Sequence, residues 1–161
     1  MLYIKNEDGS YIPAPKEVIF KVAKRLSSSQ LRRGAVIHSS ETAKEAINHK
    51  LEGYQCEMFA CLFLDSQHRI LDFQELFRGS INLAIIHPRE LVKEALRLNA
   101  AAVILAHNHP SGDTNPSKQD IELTLKLMEI LKVVDVRVLD HLVIGETVLS
   151  MADAGHLTQP T

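Results

Sequence analysis

An apolar run over residues 101–106 is followed by a change in pattern. The six residues carry no polar interruption, which is typical of a strand buried on both faces. Residues 110–113 are turn formers, and a helical apolar period then starts after Ser117 and extends to about Lys132. The pattern therefore predicts a buried strand, a tight loop and an amphipathic helix whose N-cap is Ser117.

The remainder of the chain alternates between helical and strand-like patterns. Helical periods predict helices at residues 15–27, 41–51 and 89–99. Aromatic or alternating apolar segments predict strands at residues 54–65, 69–77 and 147–150. Two strand-like stretches are predicted within residues 133–145, and residues 1–13 are predicted to form a loosely held extended arm. Strands interleaved with helices indicate an α/β sandwich around a mixed β-sheet flanked by helices.

Composition limits both the size and the class of the protein. With 161 residues, 45% of them hydrophobic, the chain can bury one substantial core, which predicts a single domain. No apolar run approaches the roughly 20 residues of a membrane span, and the first residues lack a signal-peptide pattern. Cys56 and Cys61 fall on opposite faces of one predicted strand, so they are poor disulfide partners. We therefore expect a cytoplasmic protein that is not associated with a membrane.

The candidate chemistry lies at the end of the buried strand. His107 and His109 follow the apolar run, and side chains two apart in a strand project from the same side. Asp120 falls at the third position of the next helix. Two imidazole nitrogens and one carboxylate oxygen suit Zn²⁺, and three protein ligands leave the fourth tetrahedral position open, as catalysis requires.

Each half of this pattern also has an ordinary structural explanation. Ser-x-x-Asp before an apolar period is a common helix-capping sequence, and His-x-His pairs occur on protein surfaces without a metal. The joint pattern is more specific: His107-x-His109 at a strand end, seven residues, then Ser117-x-x-Asp120 at a helix start.

That joint pattern resembles the JAMM (MPN-plus) metalloprotease motif. The surrounding segments FACLFLDSQHRIL, ELFRGSIN, HPRELVKEALRLNAAAVILAHNHPSGD and VDVRVLDHLVIG resemble the RadC-like JAB domain over about residues 39–156. The resemblance implies a JAB/MPN fold related in architecture to the cytidine deaminases. It divides the chain into an N-terminal arm and helix (1–38), the JAB/MPN domain (39–156) and a tail (157–161). It also implies a zinc-dependent hydrolase that acts on a peptide or a protein conjugate.

Glu57 is the candidate general base. It interrupts an apolar predicted strand, where an unpaired carboxylate would be costly, although a solvent-facing edge or a pair with Arg78 would also explain it. Its position matches the motif glutamate of the RadC-like domains that the chain resembles. Three rival glutamates lie in segments that look solvated: Glu52, Glu75 and Glu90.

The resemblance implies a mechanism of metal-assisted hydrolysis. One Zn²⁺ per chain, bound by His107, His109 and Asp120, would lower the pKa of a bound water from about 15.7 toward roughly 7. Glu57 would accept the proton of that water and later pass it to the leaving amine. Ser117 could donate a hydrogen bond to the tetrahedral oxyanion while its oxygen caps the helix.

Other residues near the motif have weaker claims. His141 either supports the site from a neighbouring strand or is a satisfied core histidine, and the second interpretation is preferred. Asp113 fits a turn better than a substrate contact. Asn108 is predicted to point away from the two histidines.

Alternative functions remain open at this point. Residues 16–33 carry six basic side chains and one acidic one, which suit a solvated helix face better than a nucleic-acid surface because aromatic residues are not interleaved. The net charge of −2 gives no general field for nucleic acid. From the length of the chain, we expect it to lack the helix-hairpin-helix region of the full-length RadC proteins that it resembles. The alternatives are a DNA-repair or mobile-element accessory protein and a non-catalytic metal-binding interaction module. The oligomeric state is left open.

Overall fold

A computed structural model of the chain describes residues 2–79 and 86–158. Its elements, in chain order, are β1 (Tyr3–Lys5), β2 (Tyr11–Pro13), α1 (Lys16–Gln30), α2 (Ser40–Leu51), β3 (Met58–Leu64), β4 (Ile70–Arg78), α3 (Pro88–Arg97), β5 (Ala102–Asn108), α4 (Lys118–Val133), β6 (Arg137–Ile144) and β7 (Val148–Ser150). Among the residues described, no helix has both the length and the apolarity that a bilayer span needs.

A five-stranded mixed sheet in the order β4-β3-β5-β6-β7 forms the centre of the molecule. β5 and β6 are parallel and are joined by α4, whereas the other neighbouring pairs are antiparallel. Every residue of β3 and of β5 is buried, as expected for central strands covered on both faces. This confirms the predicted α/β sandwich with a mixed sheet.

The two faces of the sheet pack against different helices. Even-numbered residues of β3 and β5, such as Leu62 and Ile104, pack in one cluster with α2, which contributes Ala46, Ile47 and Leu51. Odd-numbered residues form a second cluster with apolar side chains of α3 and α4: Phe59, Cys61, Phe63, Val103 and Leu105. Strand alternation therefore separates the sheet into an α2 face and an α3/α4 face.

Some predicted element boundaries were wrong. β3 begins at Met58 rather than at residue 54, so Glu57 precedes the strand and does not interrupt it. β6 is one strand of eight residues, because its polar pair Asp140 and His141 is buried and hydrogen-bonded and does not break the strand. Leu96 in α3, which the helical period places one turn after Val92 on the apolar side, is 57% exposed.

The N-terminal arm is more ordered than predicted. β1 and β2 pair as an antiparallel hairpin, separate from the five-stranded sheet, and α1 follows and packs against α2. On the side of α1 to which the helical period assigns the apolar residues, Ile19 and Val22 remain about two-fifths exposed, at 38% and 41%. The side chain of Leu26, assigned to the same side, lies outside the described residues.

Candidate metal centre

The end of β5 presents two histidines on one side. The strand ends at Asn108, but extended pairing with β6 continues for one more residue, since the His109 N–H donates to the carbonyl of Ile144 at 2.7 Å. His107 is 1% exposed, and its Nε2 lies 3.0 Å from Nε2 of His109. The predicted convergence of these two side chains is therefore present in the structure.

The first turn of α4 points Asp120 at the same place. Ser117 Oγ accepts the Asp120 N–H at 3.0 Å, and the Ser117 N–H donates to Asp120 Oδ2 at 2.7 Å, which completes a capping box. The same Oδ2 lies 3.6 Å from Nε2 of His107 and 3.6 Å from Nε2 of His109. The Asp120 carboxylate therefore caps the helix and also faces the two histidines, because the capping bonds fix its direction.

The loop between the histidines and α4 is attached to the β6–β7 turn. Gly112 has a φ of +88°. Its N–H donates to the His109 carbonyl, and its own carbonyl accepts the Glu146 N–H at 2.8 Å. A Cβ on Gly145 would lie 2.3 Å from the Gly112 carbonyl oxygen, so only glycine permits this approach. Asp113 Oδ1 accepts the Asn115 N–H, the turn role that the sequence predicts.

Hydrogen bonding fixes the tautomer of His109. Its Nδ1 lies 2.7 Å from the backbone carbonyl of Asp113, and a carbonyl can only accept. Nδ1 therefore carries the proton of the neutral ring, and Nε2 presents a lone pair to His107 and Asp120.

A longer chain of hydrogen bonds leads to the same result for His107. The one hydroxyl proton of Thr124 is donated to the carbonyl of Asp120 at 2.6 Å, so Thr124 Oγ1 must accept from His141 Nδ1, also 2.6 Å away. Burial holds the pKa of His141 well below its ordinary value, so its ring is neutral and Nε2 accepts. At 2.8 Å the donor to this atom is His107 Nδ1–H, which leaves the Nε2 lone pair of His107 free.

The result is a buried group of three electron-pair donors. The ligand atoms of His107, His109 and Asp120 all lie within 4.8 Å of one another, and the group could hold a metal ion. Zinc with tetrahedral bonds of about 2.0–2.2 Å separates its ligand atoms by about 3.4 Å, close to the spacings described above. Because converging lone pairs repel one another, this arrangement favours a positive charge between them, either a proton or a metal ion.

The pKa values of His109 and Asp120 are both shifted in the direction that favours such a positive charge. Asp120 raises the pKa of His109, and this effect outweighs the opposing effect of burial. Burial on its own would raise the pKa of Asp120, but His107, His109 and Ser117 together hold that pKa well below its ordinary value. The carboxylate is therefore ionised and favours a cation between the two imidazoles.

Glu57 lies beside this group, immediately before β3, and is half-buried. The antiparallel register pairs Phe59 with His107 at the end of β3, and Glu57 lies two residues before Phe59. Its charge also contributes to the raised pKa of His109. Arg78 donates from Nε to Cys56 Sγ at 3.3 Å, and its pairing with Glu57 stays an alternative explanation for that glutamate.

The rival glutamates make contacts elsewhere. Glu52 lies 3.8 Å from His49, Glu75 accepts from the Tyr54 hydroxyl, and Glu90 pairs with Lys93. The catalytic roles of Glu57 and Ser117 remain predictions, as do the metal-ligand roles of His107, His109 and Asp120.

Two supporting residues were undervalued or missed at the sequence level. His141 is a buried, hydrogen-bonded histidine, as the preferred interpretation predicted. It also bonds directly to His107, and this contact favours the alternative interpretation, in which His141 supports the site. Thr124 received no attention, although a threonine one turn after Asp120, between the apolar positions Leu123 and Leu127, was a usable signal.

Comparison with known proteins places this chain in a family. The family model described as the RadC-like JAB domain matches residues 37–156. This chain belongs to the RadC-like JAB domain family. The site described above lies wholly inside the matched segment of this JAB domain.

Relatives of this RadC-like protein carry names that state no activity. A "UPF0758 protein" of Vibrio cholerae is 48% identical over 139 residues, covering 86% of this chain and 88% of the relative. "UPF0758 protein Tgr7_0100" of Thioalkalivibrio sulfidiphilus is 46% identical over 149 residues, covering 92% and 67%. A "UPF0758 protein" of Pseudomonas syringae is 46% identical over 143 residues, covering 88% and 64%. The chain thus spans about two thirds of the two longer relatives.

Proposed function

We propose that this RadC-like JAB domain is a zinc-dependent metallopeptidase or isopeptidase-type hydrolase. The observation that carries the proposal is the convergence of the His107, His109 and Asp120 ligand atoms within 4.8 Å, with Glu57 beside them. A buried ligand set of this kind, next to a half-buried carboxylate, suits hydrolysis better than a purely structural metal site, which uses four protein ligands.

The choice of zinc follows from the ligand set. Two imidazoles and one carboxylate are borderline ligands, and three of them leave a position open for water or substrate. When bound, the ion supplies a Lewis acid that polarises a carbonyl group and makes water more acidic.

In this proposal the side chains of the chain carry the proton and the developing charge. Glu57 accepts a proton from the attacking water at its carboxylate and returns it to the nitrogen of the leaving amine. Ser117 Oγ already accepts the Asp120 N–H, so its own hydroxyl proton remains available to a tetrahedral oxyanion. The substrate is therefore a peptide or isopeptide carbonyl that can approach the exposed Ser117.

The sharpest test separates metal binding from hydrolysis. Glu57→Gln preserves the size of the side chain but removes its basic carboxylate, so the variant should retain metal and lose hydrolysis. Removing a general base typically costs about 10²–10⁴ in rate. Zinc content and cleavage of peptide and isopeptide substrate libraries should be measured on the same preparations.

Glu52→Gln is the matched control, because it makes the same change at an exposed glutamate outside the site. It should retain both zinc and activity. A wild-type protein that binds zinc but cleaves neither substrate class would favour the non-catalytic metal-binding module. Full activity in Glu57→Gln would remove Glu57 from the mechanism.

A further inference from the structure

Asn108, the residue between the two histidines, makes a pair of buried hydrogen bonds on the other side of β5. It is 4% exposed and points away from the histidines, as strand alternation predicts. Its Oδ1 accepts the Met58 N–H at 2.7 Å, and its Nδ2 donates to the carbonyl of Cys56 at 3.1 Å.

These two bonds lie on either side of Glu57 along the chain. The Cys56 carbonyl belongs to the peptide group before Glu57, and the Met58 N–H belongs to the peptide group after it. The Glu57 carbonyl also accepts the Gly79 N–H, at 3.0 Å, from the end of β4. Because peptide groups are planar, holding both of them fixes the φ and ψ of Glu57.

The direction in which Glu57 projects follows from strand alternation. Phe59 shares the face of His107, with which it pairs, and its ring lies edge-on to His141 with centroids 5.7 Å apart. Met58 falls on the opposite face, the one that Asn108 occupies. The bond from the Gly79 N–H to the Glu57 carbonyl continues the pairing of Met58 with Arg78 by one residue, so alternation extends to Glu57 and returns it to the face of the histidines.

We propose that Asn108 is a positioning residue for Glu57. One strand end thus carries two metal ligands on one side and, on the other, an amide that holds the backbone from which the general base projects. Only a side chain with one acceptor and one donor can make both bonds, and at this length that is asparagine. The importance of this position for turnover rests on the proposed function.

The test uses Asn108→Ala, with Asn48→Ala on α2 as the control, in the full chain. Co²⁺ alone is the metal probe. The signal of the Glu57 carboxyl carbon is observed by ¹³C NMR and is assigned as the signal that disappears in Glu57→Gln. Because the ligands are untouched, Asn108→Ala should bind Co²⁺ with unchanged affinity. In the wild type the Glu57 signal should show a single paramagnetic shift. In Asn108→Ala that shift should be lost, because the signal becomes an average over several positions of the side chain.

Turnover provides a second readout. In Asn108→Ala kcat should fall by about 10²-fold with KM unchanged, since a misplacement of about 1 Å has that effect. Asn48→Ala should match the wild type in both measurements. An unchanged Glu57 signal together with an unchanged kcat in Asn108→Ala would overturn the positioning role.

Amide hydrogen exchange of the wild type tests the geometry without any variant. The Met58 N–H should exchange slowly, and rapid exchange would overturn the inference even if Asn108→Ala failed to fold. A wild-type protein with the paramagnetic shift but no hydrolysis would support the positioning of Glu57 and would count against the proposed function alone.

Discussion

At the scale of single residues, neighbouring groups fix the tautomers of the two histidines in the site. His109 uses its Nδ1 proton on the Asp113 carbonyl, and His107 uses its own on His141. In the neutral rings both Nε2 atoms are therefore acceptors, available to a proton or a metal ion. Outer hydrogen bonds of this kind fix ring orientation and increase ligand basicity.

Thr124 is the last residue in this chain of hydrogen bonds, and replacing it gives the first prediction. Thr124→Val keeps the shape of the side chain but removes the hydroxyl, so the His141 tautomer is no longer fixed. Zinc affinity, measured by competition with a chromophoric chelator, should fall by about 10–100-fold. Thr124→Ser retains the hydroxyl and should restore most of the affinity, whereas equal affinities in all three proteins would refute this role.

The second prediction concerns pH. The pKa of His109 is raised, chiefly by Asp120, and a proton on its Nε2 blocks metal binding. Metal affinity should therefore fall as the pH decreases through that raised pKa, beginning above the ordinary histidine value of about 6.5. Competition titrations across this range would show it, and an affinity independent of pH would contradict the assignment of His109.

The metal-free protein should show the opposite slope in its stability. Because the folded-state pKa of His109 is raised, its contribution to stability is complete below the unfolded value of about 6.5 and is lost as the pH rises through the folded value. Denaturant titrations with a chelator present should detect this loss. A flat profile there would mean that a proton does not occupy the group in the metal-free state.

At the scale of elements, the loop between β5 and α4 depends on the β6–β7 turn. Gly145→Ala would place a methyl group 2.3 Å from the Gly112 carbonyl, so the loop must shift and carry the Asp113 carbonyl away from His109. Zinc affinity should fall measurably by the same competition assay.

Gly155→Ala is the control for this prediction. It adds the strain of a positive φ, at +79°, but its Cβ would meet nothing within 4 Å. It should lose some stability and retain the zinc affinity of the wild type. Equal zinc affinities for the two variants would show that the contact between Gly112 and Gly145 does not hold the site.

Local sequence patterns predicted the elements that form the metal group. The apolar run indicated β5, strand alternation indicated the shared side of His107 and His109, and the capping sequence indicated Ser117 at the start of α4. Each of these depends on residues that are close in sequence, where strand and helix periods apply directly.

The features that sequence patterns missed depend on distant contacts. The start of β3 is set partly by Asn108, whose side chain bonds to the backbone around Glu57 from 50 and 52 positions away. The unbroken β6 depends on Ser150, which donates to the buried Asp140, and on Thr124, which contacts His141. No local periodicity contains such pairs.

At the scale of the whole molecule, the site joins parts of the sheet to one helix. β5 and the residue after it supply two of its side chains and α4 supplies the third. α4 is also the crossover between β5 and β6. A metal held there adds a link between a central strand and the helix that covers one face. All three side chains lie within residues 37–156, the segment that the RadC-like JAB family model matches.

Metal binding should therefore stabilise the entire fold. A ligand present at about 1,000 times its Kd adds about 4 kcal/mol to the free energy of unfolding. Denaturant titrations with zinc and with a chelator should show this difference for the wild type and lose it for Asp120→Ala. Equal stability in the two wild-type conditions would mean that metal does not bind the native group.

The central claim is that His107, His109 and Asp120 hold a metal ion. The most direct measurement is the metal content of protein purified without chelator, for the wild type, His109→Ala and the surface control His49→Ala. We expect about one zinc per chain in the wild type and the control, and little in His109→Ala. A wild-type protein that takes up no metal when zinc is supplied would contradict the account.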